Sequence, residues 1–149
     1  MTRRHPVLSI LTVAYLLAVG WLTLGPQPVD AGPNGFVRQI LALMRQSPVT
    51  SWLTYDGVEF TANVVLFVPM GVLFTLLFGL RRWWIALVIG VAATCLIEGV
   101  QLFIPTRVSD VRDLVANTLG TLFGIAIVAL IARVRRPSPA REYSGTDPR

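Results

Sequence analysis

The side chains here that could do chemistry stand near the ends of apolar runs. Glu98 and Gln101 lie three residues apart at the end of one run, on a stripe that continues through Thr94 and Gly90. Asp113, Asn117, Gly120 and Gly124 follow spacings of four, three and four, which puts them on one helical face with the polar pair first. Glu59, Asn63, Phe67 and Gly71 repeat the arrangement in another run. Ionisable groups in a hydrocarbon environment are costly and face the protein interior or a wet cavity, so the three stripes are expected to converge on one site. Between two of them stand Arg107, Ser109, Asp110 and Arg112. Planar guanidiniums suit phosphate, pyrophosphate or carboxylate, while carboxylates and amides accept from hydroxyl, amine or amide groups. The expected ligand-binding set is Asn63, Glu98, Gln101, Arg107, Asp110, Arg112, Asp113 and Asn117.

Two other chemistries fit the same residues. In an enzyme, Glu98 or Asp113 would be the general base and the arginine pair the charge stabiliser. Asp110 and Asp113 have the separation of two metal-binding carboxylates, so Glu98, Asp110 and Asp113 are the catalytic and divalent-cation candidates for a lipid-linked phosphate substrate. His5 stands at the opposite end and Cys95 in mid-run, which leaves Ser109 as the obvious nucleophile and argues against phosphohistidine or thiol chemistry. In a purely structural protein the polar residues would pin helices together, but such bonds average only ~0.6 kcal/mol. Several acids are an expensive way to make weak glue. Transport needs a polar track, and beyond Thr75 and the arginine pairs the far halves of the runs are apolar.

The elements that must position these residues are membrane helices. Of the 149 residues, 54% are hydrophobic, and about 20 apolar residues in helix cross a hydrocarbon core of ~30 Å. Four such runs are predicted: Val7 to about Leu24, Val58 to Leu80, Trp83 to about Ile104, and Asp113 to about Ala132. The fold class is therefore all-α with four transmembrane helices: a short N-terminus at 1–6, a membrane domain at 7–132, and a polar tail at 133–149 read as disordered. The first run follows Arg3, Arg4 and His5 as a signal peptide would, but it is too long and lacks a small-x-small cleavage pattern, so it is read as retained. Pro69 predicts a kink that frees the Val65 carbonyl near the polar pocket. With Pro69, the residues Gly71, Gly120 and Gly124 are expected at helix contacts, and the Gly120–Gly124 face also offers a surface for a homo-oligomer. Cys95 is read as a small packing residue. Within the connection from Gly25 to Gly57, the spacing of Phe36, Val37, Ile40, Leu41 and Met44 predicts a short amphipathic helix, either on the lipid surface or over the bundle.

All 13 basic residues are arginine, as in a GC-rich bacterial genome, and the net charge is +5. The arginines flank apolar runs rather than interleave with aromatics, so nucleic acid is not an expected partner. Arg3, Arg4, Arg81, Arg82, Arg133, Arg135, Arg136, Arg141 and Arg149 fall on one side of the four spans, against Arg38, Arg45, Arg107 and Arg112 on the other. The positive-inside rule then puts both termini in the cytoplasm and the polar stripes at the outer face.

The segments Asn63–Gly71 and Ile97–Phe103, together with Arg107, Asp110, Asp113, Asn117, Gly120 and Gly124, resemble the VanZ-like family over about residues 55–132. The resemblance implies a bacterial inner-membrane protein, with a link to resistance against lipid-tailed glycopeptides such as teicoplanin. The expected partner is a membrane lipid or lipid-linked envelope precursor, its polar head at the charged mouth.

Overall fold

The computed structural model describes residues 6–25, 54–104 and 110–135, which are helical throughout apart from short turns and caps. The helices are α1 (Pro6–Leu24), α2 (Tyr55–Phe78), α3 (Trp83–Gln101) and α4 (Val111–Val134), with a 3-10 turn at Leu80–Arg82 between α2 and α3. Each is long and apolar enough to cross a membrane. They have 19, 24, 19 and 24 residues, and at about 1.5 Å per residue all match a hydrocarbon core of ~30 Å. The expected amphipathic segment at 36–44, the turn residues Arg107 and Ser109, and almost all of the 133–149 tail lie outside the described residues.

Caps move the boundaries from where hydropathy alone puts them. The Thr54 side chain accepts from the Gly57 N–H at 3.0 Å, so α2 starts at Tyr55, ahead of Val58. Asp110 accepts from the Arg112 N–H at 2.8 Å and starts α4 at Val111. Gly79, at φ 79°, donates to the Thr75 carbonyl at 2.8 Å, a left-handed closure that glycine adopts without strain. At the end of α3 the chain leaves the helix at Leu102 and Phe103, which are 72% and 87% exposed.

Helix α4 packs most extensively on α2 and then on α3, while α1 rests against α2 and α3. The α2–α4 contact is backbone to backbone. A Cβ on Gly120 would run into the Val64 carbonyl, one on Gly124 into the Val68 carbonyl, and one on Gly71 into the Thr121 carbonyl. The Gly120–Gly124 face is therefore filled by α2 of the same chain and is not open to a second copy. Without a hydrophobic drive between helices in lipid, close van der Waals approach through small residues holds such a pair. Around the contact, Phe67, Met70, Ala86 and Ala116 are wholly buried.

Two hydrogen bonds tether α1. The Tyr15 hydroxyl donates to the Leu66 carbonyl at 2.7 Å, and the Gln101 amide donates to the Thr23 carbonyl at 2.9 Å. The second joins the C-terminal ends of α1 and α3, so these helices run parallel, with α2 and α4 antiparallel to them. One end of the bundle thus carries the carboxylates, and the opposite end carries Arg81, Arg82, Arg133 and Arg135.

Two expectations about mid-span residues are corrected. Pro69 is exposed and Val65 is 63% exposed, because both lie roughly 200° around the helix from the buried Phe67 and Gly71 that follow them by two. Pro69 therefore contributes no helix packing, and the carbonyl it frees faces away from the polar residues. Cys95 is exposed on the outside of the bundle rather than packed within it.

Candidate functional site

The polar side chains form layers descending from the carboxylate end between α2, α3 and α4. The outermost is an ion pair: Arg112 Nη1 lies 3.2 Å from Asp56 Oδ2, with the two side chains 55% and 65% exposed. Such a pair is worth only ~0–1 kcal/mol, so Arg112 is readily available to an anionic ligand.

The next layer fixes the turn between α3 and α4. Glu98, half-buried on α3, accepts from the Asp110 backbone N–H at 3.1 Å, while the Asp110 carboxylate caps α4. Below this, Asp113 in the first turn of α4 is half-buried, close to the Asn63 side chain of α2 and to the charges of Glu98, Asp110 and Arg112. Glu59, one turn before Asn63, interacts electrostatically with Asp113, Asp56, Asp110 and Arg112. A carboxylate in the first turn of a helix also meets the positive end of its dipole, which steadies Asp113 in this acidic company.

The deepest layer is closed to ligands. Asn117, 3% exposed, donates from Nδ2 to the Oγ1 of the wholly buried Thr94 at 2.9 Å. Thr121 returns its hydroxyl to the Asn117 carbonyl at 3.0 Å and fills the space above Gly90. Among apolar helices in a membrane, a threonine hydroxyl is satisfied most simply by its own helix. The Oδ1 of Asn117 is buried with no hydrogen-bond partner. Its position under the carboxylates makes it the floor of the site.

Of the expected ligand-binding residues, Asn63, Glu98, Asp110, Arg112 and Asp113 come together at the mouth, and Asn117 lies beneath them. Gln101 does not join them: it is 7% exposed and committed to α1 through Thr23. Arg107 lies outside the described residues. Asp56 and Glu59 belong to the mouth although only Glu59 lay on a recognised stripe; its four-residue spacing from Asn63 was the available signal. Five carboxylates, Asp56, Glu59, Glu98, Asp110 and Asp113, thus gather with Arg112 among the described residues at this end. Among the described residues no three His, Cys, Asp or Glu side chains gather closely enough to hold a metal ion, so the Glu98, Asp110 and Asp113 trio is not assembled as a ligand set. An apolar groove near this end, along Gly57, Val58, Thr61 and Val65, runs on the side of α2 away from Asn63.

The arrangement offers an acidic mouth with the exposed guanidinium of Arg112, over a buried and closely packed polar floor. Neither a curated protein nor a solved structure matches this chain. The family model for VanZ/LLP1 matches residues 12–132, which extends beyond the segment 55–132 to take in the larger part of α1. A match over most of the chain, running through all four helices and every layer of the polar column, makes this protein a member of the VanZ/LLP1 family.

Proposed function

We propose that the carboxylate end of the bundle binds the polar head of a lipid-linked envelope molecule in the outer leaflet of a bacterial inner membrane. The carboxylates accept from its hydroxyl, amine or amide groups, and Arg112 meets its phosphate. The observation that carries this reading is the station of Asp113. It is a half-buried carboxylate beside Asn63 of the neighbouring helix and within the field of Glu98. Intramembrane acids persist where they serve a ligand or an ion path, and the closed floor at Asn117 and Thr94 supports a ligand over a path.

Orientation supports the outer leaflet. Arg81, Arg82, Arg133 and Arg135 stand at the opposite end, where the positive-inside rule puts the cytoplasm. Both termini are then cytoplasmic. Occupying or masking envelope material in this way would connect the chain to teicoplanin-type resistance. The metal-assisted enzyme alternative draws no comparable support, because among the described residues no metal-ligand set is gathered.

The test is mass spectrometry of lipids that co-purify with wild type, Asp113→Asn and Glu98→Gln. Both substitutions keep the size of the side chain and remove its charge. A lipid carrying phosphate and sugar or amine groups, retained by wild type and lost from Asp113→Asn at equal folded yield, is the expected result. Identical lipid profiles in all three proteins would refute the reading.

A further inference from the structure

The arginine end contains a second built feature. A crevice of about 440 Å³ opens between the start of α3 and the end of α4, lined by Leu80, Trp83, Ile125, Ala129, Ala132 and Arg133. Its size lies in the range of small-molecule sites, about 300–1,000 Å³. Ile125, Ala129 and Arg133 follow at intervals of four and so make one face of α4, with the guanidinium at the membrane edge and an apolar wall running ~12 Å inward from it. The two alanines leave the dent. Trp83, 45% exposed, borders it at the depth where indoles anchor to the membrane interface.

A second concavity shares Leu80 with the first and is lined by Phe78, Gly79, Arg81 and Arg82. Arg133 and the Arg81–Arg82 pair thus border two concavities that meet at Leu80, all three on exposed residues. The ion pair among the described residues is at the opposite end of the bundle, as are all the described carboxylates. Positive charge at one depth, with an apolar slot beneath it and no acid beside it among the described residues, is the chemistry of an acidic glycerophospholipid: phosphate outward, one acyl chain inward.

We infer that the crevice between α3 and α4 at the arginine end is a specific binding site for an anionic phospholipid, with Arg133, Arg81 and Arg82 on the phosphate and an acyl chain along Ala129 and Ile125. The site stands apart from the carboxylate mouth and does not rest on its reading.

The full chain, purified and delipidated in a mild detergent, is titrated with phosphatidylglycerol, phosphatidylcholine or inorganic phosphate, and bound lipid is counted by native mass spectrometry. Surface attraction alone is worth about fivefold per arginine, so loss of charge is not by itself diagnostic. The discriminating variant is Ala129→Phe, which fills the slot without changing charge. The expected result is saturable phosphatidylglycerol binding that inorganic phosphate does not displace. Ala129→Phe should weaken it at least tenfold, and Arg133→Gln should weaken it more than Arg135→Gln, which lies off the crevice. If Ala129→Phe does not fold, Ala132→Leu takes its place, with folding checked by helical circular dichroism. Equal losses from Arg133→Gln and Arg135→Gln with no effect of filling would overturn the inference in favour of a diffuse surface charge. Equal retention of phosphatidylcholine, or displacement by inorganic phosphate, would overturn it as well.

Discussion

Substituting Gly120 by alanine sets a single methyl group against the backbone of another helix. The added Cβ would lie 2.9 Å from the Phe67 Cβ and 3.0 Å from the Val64 carbonyl carbon, and closer still to the Val64 carbonyl oxygen. Ordinary contacts fall at 3.4–4 Å, so α2 and α4 would have to separate by at least half an ångström. Neither wall can yield alone, since both belong to α2 and the nearest is main chain. Overpacking of this kind costs about 1–3 kcal/mol. The control is Gly99→Ala: nothing lies within 4 Å of a Cβ there, and alanine is favoured over glycine in a helix interior by roughly 0.5–1 kcal/mol. The two single-methyl changes are therefore predicted to have opposite signs. Thermal unfolding in detergent, followed by circular dichroism and by monodisperse yield, should show Gly120→Ala less stable than wild type and Gly99→Ala equal or more stable. A Gly120→Ala protein as stable as Gly99→Ala would refute the close α2–α4 approach.

Three further outcomes follow from the same geometry. Asn117→Ala and Thr94→Val, combined in a double-mutant cycle, should give a coupling near ~0.6 and no more than ~1.7 kcal/mol, as for buried hydrogen bonds between membrane helices; a coupling of zero would remove that bond from the account. Gln101→Leu should loosen α1 while leaving ligand retention at the mouth unchanged, read as faster proteolysis within α1, because its amide serves Thr23 rather than the carboxylates. Arg112→Ala should lower stability by less than ~1 kcal/mol, given the exposure of its pair with Asp56, yet reduce lipid retention.

Hydropathy made the four spans legible, since nothing but a membrane helix accommodates runs such as Val7–Leu24. The three inward stripes were legible from periodicity, because an acid or amide in lipid has few places to point. Periodicity says which face turns inward but not which neighbour receives it. Gln101 and Glu98 share the inward side of α3, yet the one meets α1 and the other the turn before α4. The same limit applied to Gly120 and Gly124: small residues announce a close contact and left the second and third helices both open as its partner, which proved to be α2. Pro69 misled because its position along the span was read without its angle around it. Tyr15 went unread although a phenol amid the apolar side chains of α1 is itself a signal, since its hydroxyl needs an acceptor, and it finds the Leu66 carbonyl.

The central claim, that the carboxylate mouth holds the polar head of a lipid-linked molecule, is tested most directly by titrating the purified chain in nanodiscs with a short polyprenyl pyrophosphate bearing an amino sugar. Saturable binding by wild type is predicted, weakened at least tenfold in Asp113→Asn and unaffected by Arg133→Gln at the far end. Binding that is absent from wild type, or that survives Asp113→Asn undiminished in a folded protein, would contradict the claim and leave the polar column a structural feature alone.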